Sequence, residues 1–178
     1  MAVRVLAALM FLASLSGARF AATSTRDFAR HLDRQVHDIH CSFIPGAAEP
    51  DAGAATEACR ATMMSPYSSV MRTDYWGGIP VSLPGLGTFA FLAVWSVFLF
   101  AFAPVAARTT GLWTVFWWLI PTATSAYMGR LALVELDAPC KLCIGIYASS
   151  GAGMLFALVA AGLTWRGPRP AAFAVDPD

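Results

Sequence analysis

From Leu142 to Trp165 the chain carries no charged residue. That run is long enough for a helix to cross a bilayer, which takes about 20 apolar residues. In lipid a backbone must satisfy its own hydrogen bonds, so such a run is confined to helix or closed barrel. At its mouth stands Cys140-Lys141-Leu142-Cys143. Asp137 is placed to cap the helix, and Pro139 suits a first turn, where its missing N–H costs nothing. Both thiols are then expected in the first helical turn. Unsatisfied N–H groups and the helix dipole favour an anion there, so a thiolate forms more easily. Helical periodicity puts Cys140, Cys143 and Tyr147 on one face.

Three further runs share this character. Val5 to Ala18 is uncharged between Arg4 and Arg19, and it reaches Ala22 if Arg19 snorkels to the interface. The same stretch also reads as a cleaved secretory signal, with Ser16-Gly17-Ala18 as the small-residue site. A second run lies between Asp74 and Arg108, with Pro80 and Pro84 near its start. A third, Gly111 to Gly129, carries Trp113, Trp117 and Trp118 and is closed by Arg130. Hydrophobic residues make up 57% of the chain and charged ones 13%, which excludes an ordinary soluble domain. A net charge of +1 says nothing about nucleic acid, and no basic cluster suggests such a partner, so none is expected.

These runs predict an all-α membrane protein, a four-transmembrane-helix bundle within residues 1–165. The spans fall at about 5–22, 84–103, 111–130 and 140–165, with Ile79 to Leu83 as a re-entrant lead-in. Residues 23–78 form a long extracytoplasmic loop. Phe28, Leu32, Val36 and Ile39 recur there at near-helical spacing, with Arg26, Asp27, Arg30, Asp33 and Arg34 between them. That pattern predicts a short amphipathic helix on the membrane surface. The Pro- and Ala-rich tail, 166–178, is expected to be a disordered cytoplasmic segment. Arg4, Arg108, Arg166 and Arg169 flank the spans on one side and Glu135 and Asp137 on the other, which puts both termini in the cytoplasm. Cys41, Cys59, Cys140 and Cys143 then all face the oxidising side of an inner membrane, where disulfides persist.

Two thiol pairs on one oxidising face suggest a relay. A mobile loop pair would meet a soluble partner, and a fixed membrane pair would receive its electrons by thiol–disulfide exchange. The fixed pair then needs a two-electron acceptor soluble in lipid, for which a quinone is the natural choice. Tyr147, one turn beyond Cys143, is positioned to donate a hydrogen bond to a carbonyl of such a ring, or simply to pack. Other readings stand beside this one. The C-x-x-C is also a zinc half-site, and His37, His40, Cys41 and Cys59 contain soft and borderline metal ligands. A non-enzymatic metal-binding or metal-transport protein would use the same thiols. His40 is also placed to favour a thiolate at Cys41. Gly145, Ser149, Gly153 and Ala157 form a small-residue stripe expected to let another helix pack close.

The order of these features resembles the vitamin K epoxide reductase family, whose bacterial members include quinone-dependent disulfide oxidases of the DsbB type. The matching residues are Cys41, then Cys59 with Ser65 six positions on, then Gly78-Ile79-Pro80-Val81 leading into a span. Last comes Cys140-Lys141-Leu142-Cys143-Ile144-Gly145-Ile146-Tyr147-Ala148-Ser149. The resemblance runs from about Leu6 to Leu163 and implies a four-helix bundle enclosing a quinone, ubiquinone or menaquinone. It implies that Cys143 faces the quinone, that Cys140 exchanges with Cys59, and that Cys41 completes a loop disulfide. It gives Ser65 as the hydroxyl near the ring and Tyr147 as the family's tyrosine; Ser65 also reads as a turn residue before Pro66. A separate periplasmic DsbA-like thioredoxin-fold protein is the implied thiol partner.

Cys41 and Cys59 have seventeen residues between them, more than is usual in the family. Roughly doubling a flexible loop adds only about 0.6 kcal/mol of closure entropy, so pairing remains open to them. No asparagine stands from Val81 to Leu83, where vertebrate members use one to hold the quinone. Epoxide reduction, with the same cysteines driven by an external reductant, is the alternative activity.

Overall fold

A computed structural model describes residues 1–32, 65–71, 78–102, 108–136 and 140–166. Cys41, Cys59, His37, His40, Asp137, Pro139 and the tail from 167 onward lie outside these residues, as does the amphipathic segment beyond Leu32. The described chain is helical apart from one small hairpin. Its long helices are α1 (Ala2–Leu32), α2 (Ser82–Phe102), α3 (Arg108–Arg130) and α4 (Lys141–Arg166). Three stretches are long and apolar enough to cross a membrane: Ala2–Arg30, Ser82–Phe102 and Lys141–Trp165. α3 has 23 residues and is less apolar, with Pro121 inside it.

α1 does not stop near Ala22, where a surface helix was expected to take over. It is one helix of 31 residues, about 46 Å at the helical rise. Nothing from Phe20 to Leu32 breaks it, for there is no proline or glycine in that stretch. Thr23 and Thr25 donate back to the carbonyls of Arg19 (2.9 Å) and Ala21 (2.8 Å). The same device recurs through the bundle. Ser14, Ser96, Ser149 and Ser150 each donate to the carbonyl four residues back. A hydroxyl on an apolar helix is thus satisfied without water.

α1 packs along both α2 and α4, and α4 packs along α3. α2 and α3 approach each other mainly through long side chains. Phe91 meets Trp117 edge-on at 5.0 Å between ring centroids, and Trp95 Nε1 donates to Thr114 Oγ1 at 3.1 Å. The core holds Met10, Phe89, Leu92, Trp118, Ala157 and Ala160, with Phe89 and Trp118 in a T-shaped contact. Polar links cross between helices. Ser125 Oγ donates to Ser150 Oγ (3.0 Å) on α3 and α4, and the hydroxyls of Ser149 and Ser16 are hydrogen-bonded at 3.2 Å on α4 and α1, with Ser149 Oγ, its own proton on the Gly145 carbonyl, as acceptor. Each such bond is worth about 0.6 kcal/mol in a membrane bundle. At one end, Arg108 donates to the Trp165 carbonyl and lies over that residue's ring.

The small-residue stripe on α4 is divided between two neighbours. A Cβ at Gly145 would meet the Phe20 ring of α1 at 2.7 Å, and one at Gly153 would overlap the Trp118 ring of α3. These glycines receive aromatic rings, whereas close approach of another helix was expected. The close backbone approach occurs instead at Gly111, where an added Cβ would lie 3.1 Å from Ala161 Cα.

Ile79 and Leu83 do not bracket a re-entrant lead-in. Ile79–Pro80 (β2) pairs antiparallel with Ser69–Val70 (β1), and Val81 N–H donates to the Ser68 carbonyl at 3.0 Å. Gly78 sits at φ +78° with its Cα against the Val70 carbonyl, where an added Cβ would lie at 2.7 Å. Only glycine takes that conformation without strain. The hairpin fixes Ser65 to Ser68 over the end of the bundle where α1 ends and α4 begins.

Candidate functional site

α3 passes into one π-helical turn, Leu131–Glu135, closed by Leu136 N–H donating to the Leu131 carbonyl at 3.1 Å. The wider turn brings Leu131, Ala132 and Leu136 to the wall of a cavity of about 300 Å³. α1, α2, α3, α4 and the 65–68 turn all contribute to that wall, which among the described residues contains no Asp, Glu, Lys, Arg or His. Its polar groups are hydroxyls and thiols, among them Ser65, Ser125, Tyr147, Cys140 and Cys143. A neutral, flat, largely apolar molecule with hydrogen-bond acceptors fits such a lining; an ion would lose its hydration without compensation.

Cys140 sits one residue before the first turn of α4, a correction to the sequence reading. α4 begins at Lys141, and the Cys140 carbonyl accepts from Ile144 N–H at 3.0 Å. Cys140 is therefore the cap residue and Cys143 the third residue of the helix. A cap side chain accepts from the N–H groups of the second and third residues. Cys140 Sγ does so toward Leu142 and Cys143, and it also accepts from the Cys143 thiol.

That thiol contact is the main reason the Cys140 pKa is lowered to about 7; the two N–H groups add to it, while burial and the charge of Asp27 oppose it. Alkylation of Cys140 in the reduced protein is thus expected to rise through about pH 7 and level off above it, since only the thiolate reacts. A midpoint near the ordinary thiol value of about 8.5 would contradict the capped geometry. Rate measurements by mass spectrometry across pH decide this.

Cys140 and Cys143 border the same cavity. Tyr147 lies against Gly129 of α3, where an added Cβ would sit 3.4 Å from its ring, and it hydrogen-bonds Cys143. Its hydroxyl is thus shared between the sulfur and the cavity. Ser65 is buried at the cavity wall and also opens a turn, its carbonyl accepting from Ser68 Oγ (2.8 Å) and Ser68 N–H (3.2 Å). Tyr67 in that turn donates to Glu135 Oε2 at 2.8 Å, tying it to the π turn. Of the six residues singled out in the sequence, the structure brings Ser65, Cys140, Cys143 and Tyr147 to one cavity. Cys41 and Cys59 are not among the described residues.

Sequence reasoning placed Asp27 among the polar residues of a surface helix, and this is corrected. Asp27 is 2% exposed and close enough to Cys140 to act on its charge. The signal was available: Phe20, Ser24, Asp27 and Phe28 follow one helical face. On that face Phe20 packs on Cys140 and Leu142, and Ser24 and Phe28 line the cavity.

A bundle of long apolar helices that brings two cysteines, Cys140 buried and Cys143 half-buried, to one largely apolar cavity is the architecture expected of a membrane redox protein. A family model described as the vitamin K epoxide reductase family matches residues 8–159, and the chain belongs to that family. Membership carries oxidoreductase activity, and its members use quinones as a class of substrate. A search of the curated proteins finds no match.

Proposed function

We propose that this protein is a membrane thiol–disulfide oxidoreductase supporting disulfide-bond formation. It takes electrons from a separate periplasmic thioredoxin-fold protein through Cys41 and Cys59, passes them to Cys140 and Cys143, and delivers them to a quinone. The observation that carries this reading is the cavity of about 300 Å³, bordered by both α4 thiols and lined among the described residues by no Asp, Glu, Lys, Arg or His. A quinone bound there supplies a two-electron, two-proton acceptor.

The chain's own residues have distinct tasks. Cys140, held as a thiolate-favouring cap, is the sulfur suited to exchange with Cys59. Cys143 presents its sulfur to the cavity, and Tyr147 steadies that sulfur while offering a donor to a ring carbonyl. Ser65, fixed by the hairpin, offers a second hydroxyl. The apolar wall from Phe28, Phe89 and Leu131 excludes water.

α3 completes four spans in this reading. Its 23 residues extend about 35 Å at the helical rise, enough to cross a hydrocarbon core of about 30 Å. The flanking arginines then put both termini in the cytoplasm of a bacterial inner membrane.

Expression in bacterial cells lacking their own membrane disulfide oxidase tests the proposal. The wild-type chain is expected to restore periplasmic disulfide formation, and Cys143→Ala is expected to fail at equal membrane abundance. If the two behave alike, the oxidase reading is wrong.

A further inference from the structure

The cavity has two banks at the end of the bundle where α4 begins, and they come from different parts of the chain. The hairpin and its turn lend Ser65, Ser68 and Val81; the π turn and the residue after it lend Leu131, Ala132 and Leu136. Each bank is firm in itself. The Ser65 carbonyl accepts from the hydroxyl and the N–H of Ser68, and Val81 N–H donates to the Ser68 carbonyl, which makes turn and hairpin one piece. The π turn is closed by its own bond from Leu136 N–H to the Leu131 carbonyl.

The helices behind the banks do little to join them. α2 and α3 meet through Phe91 on Trp117 and Trp95 on Thr114, farther into the bundle than Thr88 and Thr124, which border the cavity. A side-chain bond spans the gap instead. Tyr67 Oη donates to Glu135 Oε2 at 2.8 Å, from the turn of one bank to the last residue of the π turn in the other. A carboxylate acceptor makes such a bond charge-assisted. Glu135 also holds the Tyr67 hydroxyl above the usual phenol range, so at neutral pH it keeps its proton and stays a donor.

We propose that Tyr67 and Glu135 are positioning residues whose bond clasps the two banks together and keeps the cavity in the shape that grips a quinone ring. Neither is among the residues that border the cavity. They act through their neighbours, Tyr67 through Ser65 two residues back and Glu135 through Leu131 and Ala132 in the same turn. With the clasp open, the banks part and the ring is held less firmly. The clasp therefore governs affinity and leaves the exchange of electrons at Cys140 and Cys143 alone.

The inference rests on the quinone reading of the cavity, and full-length protein in detergent carries the test. Tyr67→Phe removes one exposed oxygen and keeps the ring, so the fold is expected to stand. It is expected to weaken binding of a short-chain quinone about tenfold by tryptophan quenching, and to raise KM to match, with kcat within about twofold of wild type. Glu135→Ala is expected to do the same. The two changes together should be no worse than either alone, because the partners of one bond lose it once. Glu135→Gln keeps an acceptor oxygen and stays within about threefold of wild type.

A second readout uses no quinone. Amide hydrogen exchange over 131–136 is expected to quicken at least about fivefold in Tyr67→Phe, and over 65–71 in Glu135→Ala, each change being felt on the opposite bank. Unchanged quinone affinity in both single variants overturns the proposal, as does a fall in kcat at unchanged affinity. Losses that add in the double variant, or exchange that quickens on the substituted bank alone, overturn it too. If the wild type binds no quinone, it is the functional reading that fails, and the exchange pattern still decides whether the banks are clasped.

Discussion

Replacing Cys143 with alanine is expected to reduce quinone-dependent oxidation of a dithiol to background, on the order of 1000-fold or more, as for loss of a covalent nucleophile. Cys143 is the third residue of α4 and borders the cavity, with Tyr147 hydrogen-bonded to it one turn on. No other described sulfur has that position. Alanine is the best helix former, so the first turn of α4 should remain intact and the loss should not come from unfolding. The cavity keeps every other wall residue, so affinity for a short-chain quinone, read by tryptophan quenching, is expected to stay within several-fold. Turnover is followed by the quinone's absorbance with a soluble dithiol as donor. Retention of more than a tenth of wild-type turnover would show that electrons leave by another route. Loss of binding together with turnover would mean that the thiol acts only by shape.

The largest expected effect on stability lies elsewhere, at Gly153→Ala. Glycine inside a helix normally costs about 1 kcal/mol against alanine, so the exchange would be favourable on propensity alone. Gly153 reverses the sign. An added Cβ would overlap the six-membered ring of Trp118, a side chain with no exposed surface and in T-shaped contact with Phe89. Overpacking of that kind costs about 1–3 kcal/mol, and it should appear as a lowered thermal midpoint in detergent. Gly151 and Gly162, on the same helix, have nothing near an added Cβ, so alanine there should be neutral or slightly stabilising. Trp118→Phe removes the overlapping ring, and combined with Gly153→Ala it should recover most of the loss relative to Trp118→Phe alone. A destabilisation that persists in the double variant would place its cause outside this contact.

The helices were legible from the chain because lipid leaves a charge-free run so few options, and the C-x-x-C was legible because its spacing and position are local. Family membership was legible too, from the order of motifs between Cys41 and Ser149. Boundaries were less so. The polar letters after Ala22 suggested an end to α1, yet Thr23 and Thr25 bond their own helix, and α1 runs to Leu32. Cys140 was expected inside the first turn and proved to be the cap, a one-residue difference that decides which N–H groups its sulfur meets.

By itself, then, the sequence determined that this protein is helical, suited to a membrane and equipped with a dithiol at a helix mouth, since each of these follows from neighbouring residues alone. Only the tertiary structure decided which faces meet. Hydrophobic periodicity separates core from surface in water, where the outer face must be polar. In a lipid-embedded bundle both faces are apolar, so Trp113 and Phe91 (exposed) read like Trp118 and Phe89 (buried). The same blindness hid the burial of Asp27. It hid the cavity as well, whose wall is assembled from residues as far apart in the chain as Ala21 and Tyr147.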